Sequence, residues 1–192
     1  VLFRSGVDAP GVRDAWDVLR NNPRLGKNVA VIGGGAVGLE TALFIASKGT
    51  INAETLHFLF SYEAESTERL RELIFEGTHK VTVFEMLPKA GQDVGKSTKW
   101  VLLGEVQKYG ISVNTTARVV AIEDGQVTVE KDDEQQTLSF DDVVLAAGSK
   151  SVRTLSEQVA DLGIPYDTVG DCVKPGKIND AIHGGYFAAQ RI

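Results

Sequence analysis

Apolar and polar positions alternate in three distinct rhythms along the chain. Short, β-branched runs with apolar centres occur at Lys27–Ile32 (KNVAVI), Lys80–Glu85 (KVTVFE), Ile111–Asn114 and Val143–Ala147. Each is bounded by glycine or a polar turn, the mark of a strand covered on both faces. Between them lie stretches of helical spacing: Val12–Leu19 with Trp16 on its apolar face, Ala36–Lys48 ended by Gly49, and Lys96–Tyr109 stopped by Gly110. Ile51–Thr78 is mostly helical, with Leu70, Leu73 and Ile74 at helix spacing. The third rhythm is strict alternation at Arg118–Glu123, Val127–Lys131 and Thr137–Phe140. With turns at Asp124-Gly125 and Asp132-Asp133-Glu134, these three runs predict an antiparallel meander. Asp8–Pro10 is a turn, and Asn21–Gly26 breaks the first helix. Towards the end the pattern gives a short helix around Leu155–Leu162, a strand around Tyr166–Val169, and a broken helix after Asp180. The order describes an α/β fold, a Rossmann-like parallel sheet with an antiparallel excursion before its last parallel strand.

Composition narrows the chemistry. The 192 residues are 43% hydrophobic and 24% charged, ordinary for a chain with a packed core. The net charge of −6 excludes a broad basic surface for nucleic acid or anionic membrane. A lone cysteine, Cys172, rules out an internal disulfide, a CxxC pair or a multi-cysteine cluster, and reads as a small buried residue. His57, His79 and His183 lack metal-ligand spacing, so no metal site is expected. The longest apolar stretch is interrupted by glycines and Glu40, which argues against a membrane span. The acidic run EKDDE at 130–134 is a solvated hairpin turn.

The sharpest signal is Gly33-Gly34-Gly35-Ala36-Val37-Gly38, a GxGxxG set between a strand and a helix. Gly33 permits the sharp turn, Gly35 lets backbone approach a pyrophosphate, and Gly38 lets helix and strand pack closely. The helix start adds free N–H groups and the positive end of its dipole. Glu85 ends the next parallel strand, where a carboxylate accepts from adenosine ribose hydroxyls and repels a 2′-phosphate. It lies 47 residues past Gly38, against a usual spacing of about 20; the helical stretch 51–78 accounts for the excess. No arginine follows Glu85 directly, which favours NADH over NADPH. A third feature, Thr168-Val169-Gly170-Asp171 before Pro175 and a helix, could equally be a turn or cap.

Taken together, KNVAVIGGGAVGLETALFIASKG, KVTVFEMLPKAGQDVGKSTKWVL, DVVLAAGSK and TVGDCVKPGKINDAIHGGYFAA resemble the pyridine-nucleotide-binding part of FAD/NAD(P)-dependent oxidoreductases. More narrowly, they resemble the C-terminal region of large flavoenzymes related to 2-enoate reductase, 2,4-dienoyl-CoA reductase and trimethylamine dehydrogenase. The resemblance implies that residues 27–146 are an NADH-binding domain inserted between two remnants of an FAD-binding domain, 6–26 and 147–192. It implies that Gly148, Gly170 and Asp171 belong to the FAD site, with Asp171 bonding a ribityl hydroxyl. The backbone near Asn179 and Asp180 would face the flavin, and Glu40 would lie near the nicotinamide. His183 is taken as a helix residue rather than a catalytic acid. No catalytic residue is assigned. An N-terminal barrel of the same polypeptide would carry FMN and a [4Fe–4S] cluster, and the location implied is cytoplasmic.

Residues 1–5 (VLFRS) match nothing in that pattern and read as a sequencing-adapter artefact, which makes this a piece of a longer reading frame. The terminal helix shows no stop signal. The first FAD glycine motif is not in the sequence, so a chain binding NADH, holding no flavin and inactive alone is expected. The activity implied is hydride passage from NADH to FAD and on to a distant substrate site. A non-catalytic NAD-binding module for redox sensing or assembly is the alternative. The GxGxxG spacing and the late Gly170-Asp171 speak against a methyltransferase.

Overall fold

A computed structural model describes residues 6–191; the reading of residues 1–5 as an artefact falls outside them. In chain order the elements are β1 (Val12–Asp14), α1 (Ala15–Asn21), β2 (Asn28–Ile32), α2 (Ala36–Ala46), α3 (Ala53–Ser61), α4 (Thr67–Phe75), β3 (Lys80–Phe84) and α5 (Lys96–Lys108). They continue with β4 (Ser112–Asn114), β5 (Arg118–Glu123), β6 (Gln126–Lys131), β7 (Glu134–Ser139), β8 (Asp142–Leu145), α6 (Thr154–Asp161) and α7 (Ile178–Ala189). The chain divides into one compact unit up to Ala147 and a second from Gly148.

The first unit has three layers. Its centre is a five-stranded parallel sheet in the order β1-β8-β2-β3-β4. Side chains alternate across β2, and both faces are covered from Val29 to Ile32, which is why those four residues are an unbroken apolar run. Val29 and Val31 join Val81, Val83 and Val144 in a cluster with Ala15 and Val18 of α1, Leu39, Ala42 and Ile45 of α2, and Val106 of α5. Ala30, Ile32, Phe84 and Val143 face the other way, into Val119, Ile122, Val127 and Val129. Those residues belong to the antiparallel sheet β5-β6-β7, the third layer. Its two hairpins turn through paired left-handed residues, Asp124 (φ 45°) with Gly125 (φ 76°), and Asp132 (φ 52°) with Asp133 (φ 64°). Such two-residue turns match the twist of the strands they join. The parallel strands end together, and the loops that follow β2 and β3 form the site described below.

Several expectations need correction. Val12–Asp14 is not helical; it pairs with Val143–Leu145 as the edge of the parallel sheet. The helix that follows buries Ala15 and Val18, leaving Trp16 62% exposed rather than on the apolar face. The last meander strand starts at Glu134, three residues earlier than its alternation suggested, because it is an exposed edge strand defined by its pairing with β6. Tyr166–Val169 forms no strand despite its residue types, since no described strand lies beside it to pair with. The terminal helix is continuous through Gly184 and Gly185. Cys172 is half-buried, not buried, and its Sγ donates to the Val169 carbonyl at 2.9 Å.

The second unit is built from α6, α7 and a single 3-10 turn at Gly170–Cys172. Arg153 ties its loops, donating from Nε to the Cys172 carbonyl and from Nη2 to the Val173 carbonyl, both at 3.1 Å. Arg191 pairs with Asp167 at 3.0 Å. Leu155, Leu162, Ile178, Ile182, Tyr186 and Phe187 are all exposed. Among the described residues, no helix is long and apolar enough to cross a membrane.

Candidate functional site

The site grows from the end of β2. The chain leaves the strand at Gly33, whose φ of 111° is closed to residues with a side chain. Its N–H donates to the Phe84 carbonyl at 2.9 Å, which binds the turn to the neighbouring strand end. A Cβ at Gly38 would fall on the Gly33 carbonyl oxygen, so α2 can start this close to the strand only with glycine there. Gly35 caps the helix at φ −73° and ψ −174°, a conformation open to any residue. What glycine supplies at Gly35 is therefore space rather than backbone freedom. Ala36 and Val37 form the first turn of α2 and bring their N–H groups to the helix start.

Glu85 stands beside this turn. Its main chain is pinned by a bond from its own N–H to the Asn114 carbonyl at 2.8 Å, and by one from the Ala117 N–H to its carbonyl at 3.0 Å. Its side chain is 8% exposed and lies across the glycine loop. Oε2 accepts from the Gly34 N–H at 2.6 Å, and Oε1 accepts from the Leu87 N–H at 2.8 Å. The carboxylate therefore joins the two loops that follow β2 and β3. A carboxylate offers roughly four acceptor positions; these two bonds leave capacity for further donors.

Asp93 was missed from the sequence. It sits in the loop between β3 and α5, and both of its oxygens accept from the Ala36 N–H, at 3.0 and 3.1 Å. A Cβ built on Gly35 would lie 3.0 Å from Asp93 Oδ2. A second tie fixes this loop, from the Gly91 N–H to the Gly34 carbonyl at 2.6 Å. Nothing in the run KAGQD distinguishes Asp93 from a solvated loop acid, and only its tertiary position reveals it.

The glycine loop, Glu85 and Asp93 thus converge on one helix N-terminus. Glu40 lies one turn further along α2 and is exposed. Gly148, Gly170 and Asp171 belong to the second unit. There Gly170 takes φ 67°, and Asp171 Oδ1 accepts from the Gly176 N–H at 3.1 Å. Both line a cavity of about 480 Å³ with Thr168, Lys174, Asp180 and Phe187. His183 is exposed on α7. Among the described residues, no group of three or more His, Cys, Asp or Glu could hold a metal ion.

A strand, a glycine turn lying on backbone and a helix N-terminus, with an acid at the next strand end, make an arrangement of a kind that can receive an anion. Residues 8–177 match the sequence pattern of the family described as pyridine nucleotide-disulphide oxidoreductase. The chain belongs to this family. The five-stranded parallel sheet with its helices and antiparallel sheet is the Rossmann-like α/β fold consistent with this family. The chain is 39% identical over 93% of its length to a metal reductase of Desulforamulus reducens, covering 27% of that protein. It is 32% identical over 94% of its length to an NADH oxidase of Thermoanaerobacter brockii, covering 24% of it. The chain spans about a quarter of the length of these curated relatives. A solved 2-naphthoyl-CoA reductase superposes with a TM-score of 0.72 at 23% identity, over 97% of this chain and 24% of that one. That likeness speaks to the fold.

Proposed function

We propose that this chain is the NADH-binding portion of a flavin-dependent oxidoreductase, of the kind related to 2-enoate reductase. The observation that carries the reading is the turn from β2 into α2, where Gly35 leaves room at the helix start and Glu85 closes the adjacent strand end. In this reading Gly33 shapes the turn and Gly38 seats the helix. The Gly35 and Ala36 N–H groups meet the pyrophosphate. Glu85 uses its remaining acceptor capacity for the adenosine ribose hydroxyls, and its charge disfavours a 2′-phosphate. Glu40, exposed on α2, would lie near the nicotinamide. Held by this turn and Glu85, NADH would supply a hydride from nicotinamide C4 for a flavin.

The same reading takes residues 27–146 as the NADH domain and 6–26 with 147–192 as parts of an FAD domain. Gly148, Gly170 and Asp171 would contribute to the flavin site, with Asp171 at a ribityl hydroxyl. The cavity beside Asp171 in the second unit is compatible with that use. The rest of a cytoplasmic polypeptide, including a barrel with FMN and a [4Fe–4S] cluster, would carry electrons to the substrate. The spans of the relatives support a longer parent chain.

Calorimetric titration of the chain with NADH, NADPH and S-adenosylmethionine tests the proposal. NADH should bind most tightly. Binding of S-adenosylmethionine without binding of NADH would overturn it.

A further inference from the structure

The loop from Met86 to Gly95 is tied across the glycine turn at two points, by the Gly91 N–H to the Gly34 carbonyl and by Asp93 to the Ala36 N–H. The second tie is unusual in its chemistry. Asp93 does not cap its own helix, α5, whose N-cap is Gly95 with no side-chain bond. It instead places a carboxylate on the start of a different helix, α2, against the bare Cα of Gly35. That is the donor and the space that the proposed reading assigns to the pyrophosphate. A carboxylate and a phosphate cannot both hold the Ala36 N–H, and their like charges oppose one another.

We propose that Asp93 is a built-in competitor for the dinucleotide phosphate. It holds the helix start and must swing away for a nucleotide diphosphate to bind. The inference rests on the reading of the glycine turn as a dinucleotide site. Asp93 is solvent-exposed, so its displacement requires no opening of the core. Glu85, by contrast, is buried between two backbone donors and stays in place. Asp93 thereby sets the affinity for ligands that carry phosphate and leaves binding of the adenosine end unchanged.

The test compares wild type, D93N and D93A in titrations with NADH, ADP-ribose and adenosine, each variant checked by circular dichroism. D93N keeps the shape and removes the charge. D93A also frees the Ala36 N–H. Both should bind NADH and ADP-ribose about three- to tenfold more tightly than wild type, the scale of one exposed charge-assisted contact. Adenosine affinity should not change. Unchanged or weaker NADH binding by D93N, with wild type binding normally, overturns the inference alone. Equal tightening for adenosine also overturns it, because a loosened loop rather than phosphate competition would then be the cause. If wild type binds neither NADH nor ADP-ribose, the reading of the site falls and the inference falls with it. A D93A that does not fold leaves D93N to decide.

Discussion

Replacing Glu85 by Gln is the substitution whose outcome the structure specifies most fully. The shape is conserved, but one carboxylate oxygen becomes an NH₂ group. In the native protein both oxygens accept backbone N–H groups, from Gly34 at 2.6 Å and from Leu87 at 2.8 Å. Gln can accept from one of them; the other then faces an amide donor. With the side chain 8% exposed, water has little access to repair the loss. One charge-assisted bond lost in a buried position costs about 1.5–3 kcal/mol. For a protein of this size each kcal/mol lowers Tm by about 2–4 °C, so E85Q should melt roughly 3–12 °C below wild type. A thermal melt followed by circular dichroism, with calorimetry to confirm a single transition, measures this. The same variant should discriminate less between NADH and NADPH, by about 1–2 kcal/mol, since the charge facing a 2′-phosphate is gone. A melting temperature within about 1 °C of wild type would refute the argument that Glu85 clasps the glycine loop.

Gly38→Ala should destabilise the fold by about 1–3 kcal/mol, because the new methyl meets the Gly33 carbonyl, a backbone atom with little freedom to move; denaturant titration checks this, and a stability equal to wild type would contradict it. Gly35→Val should leave the circular dichroism spectrum intact, since φ −73° and ψ −174° suit any residue, while NADH affinity falls more than about tenfold as the side chain fills the phosphate space. A folded Gly35→Val with native affinity would count against the cradle.

The parallel core was legible because its strands are covered on both faces. After Asn28, VAVI carries valine towards the helices, and alanine and isoleucine towards the meander, so no polar position interrupts those four residues. The hairpin turns were legible from Asp124-Gly125 and Asp132-Asp133, whose left-handed backbone is what these residue types tolerate. Where an element depends on its neighbour, the pattern was silent. Glu134–Gln136 has no apolar face and becomes strand only through pairing with β6. Val12–Asp14 is too short for alternation to register, and its helix-like spacing ran on from Ala15 and Val18. Conversely, Tyr166–Val169 has strand-forming residues but no paired strand among the described residues.

The glycine turn and Glu85 were visible as a motif and a strand end, but the direction of the Glu85 side chain was not. Its bonds run to Gly34 and Leu87, donors that no spacing rule brings to its carboxylate. Gly35 was expected to let backbone approach a ligand; the structure gives it an ordinary backbone conformation, so the space beside it, not backbone freedom, is what glycine supplies. Asp93 reaches Ala36 from 57 residues away, through a loop with no periodicity at all.

The most direct measurement is a crystal structure of the chain with NADH bound. The account predicts the pyrophosphate at the Gly33–Gly38 turn, within hydrogen-bond distance of the Gly35 or Ala36 N–H. The adenosine ribose should lie at Glu85, and the Asp93 carboxylate should have left Ala36. A dinucleotide bound elsewhere, or a pyrophosphate that does not touch this turn, would contradict it.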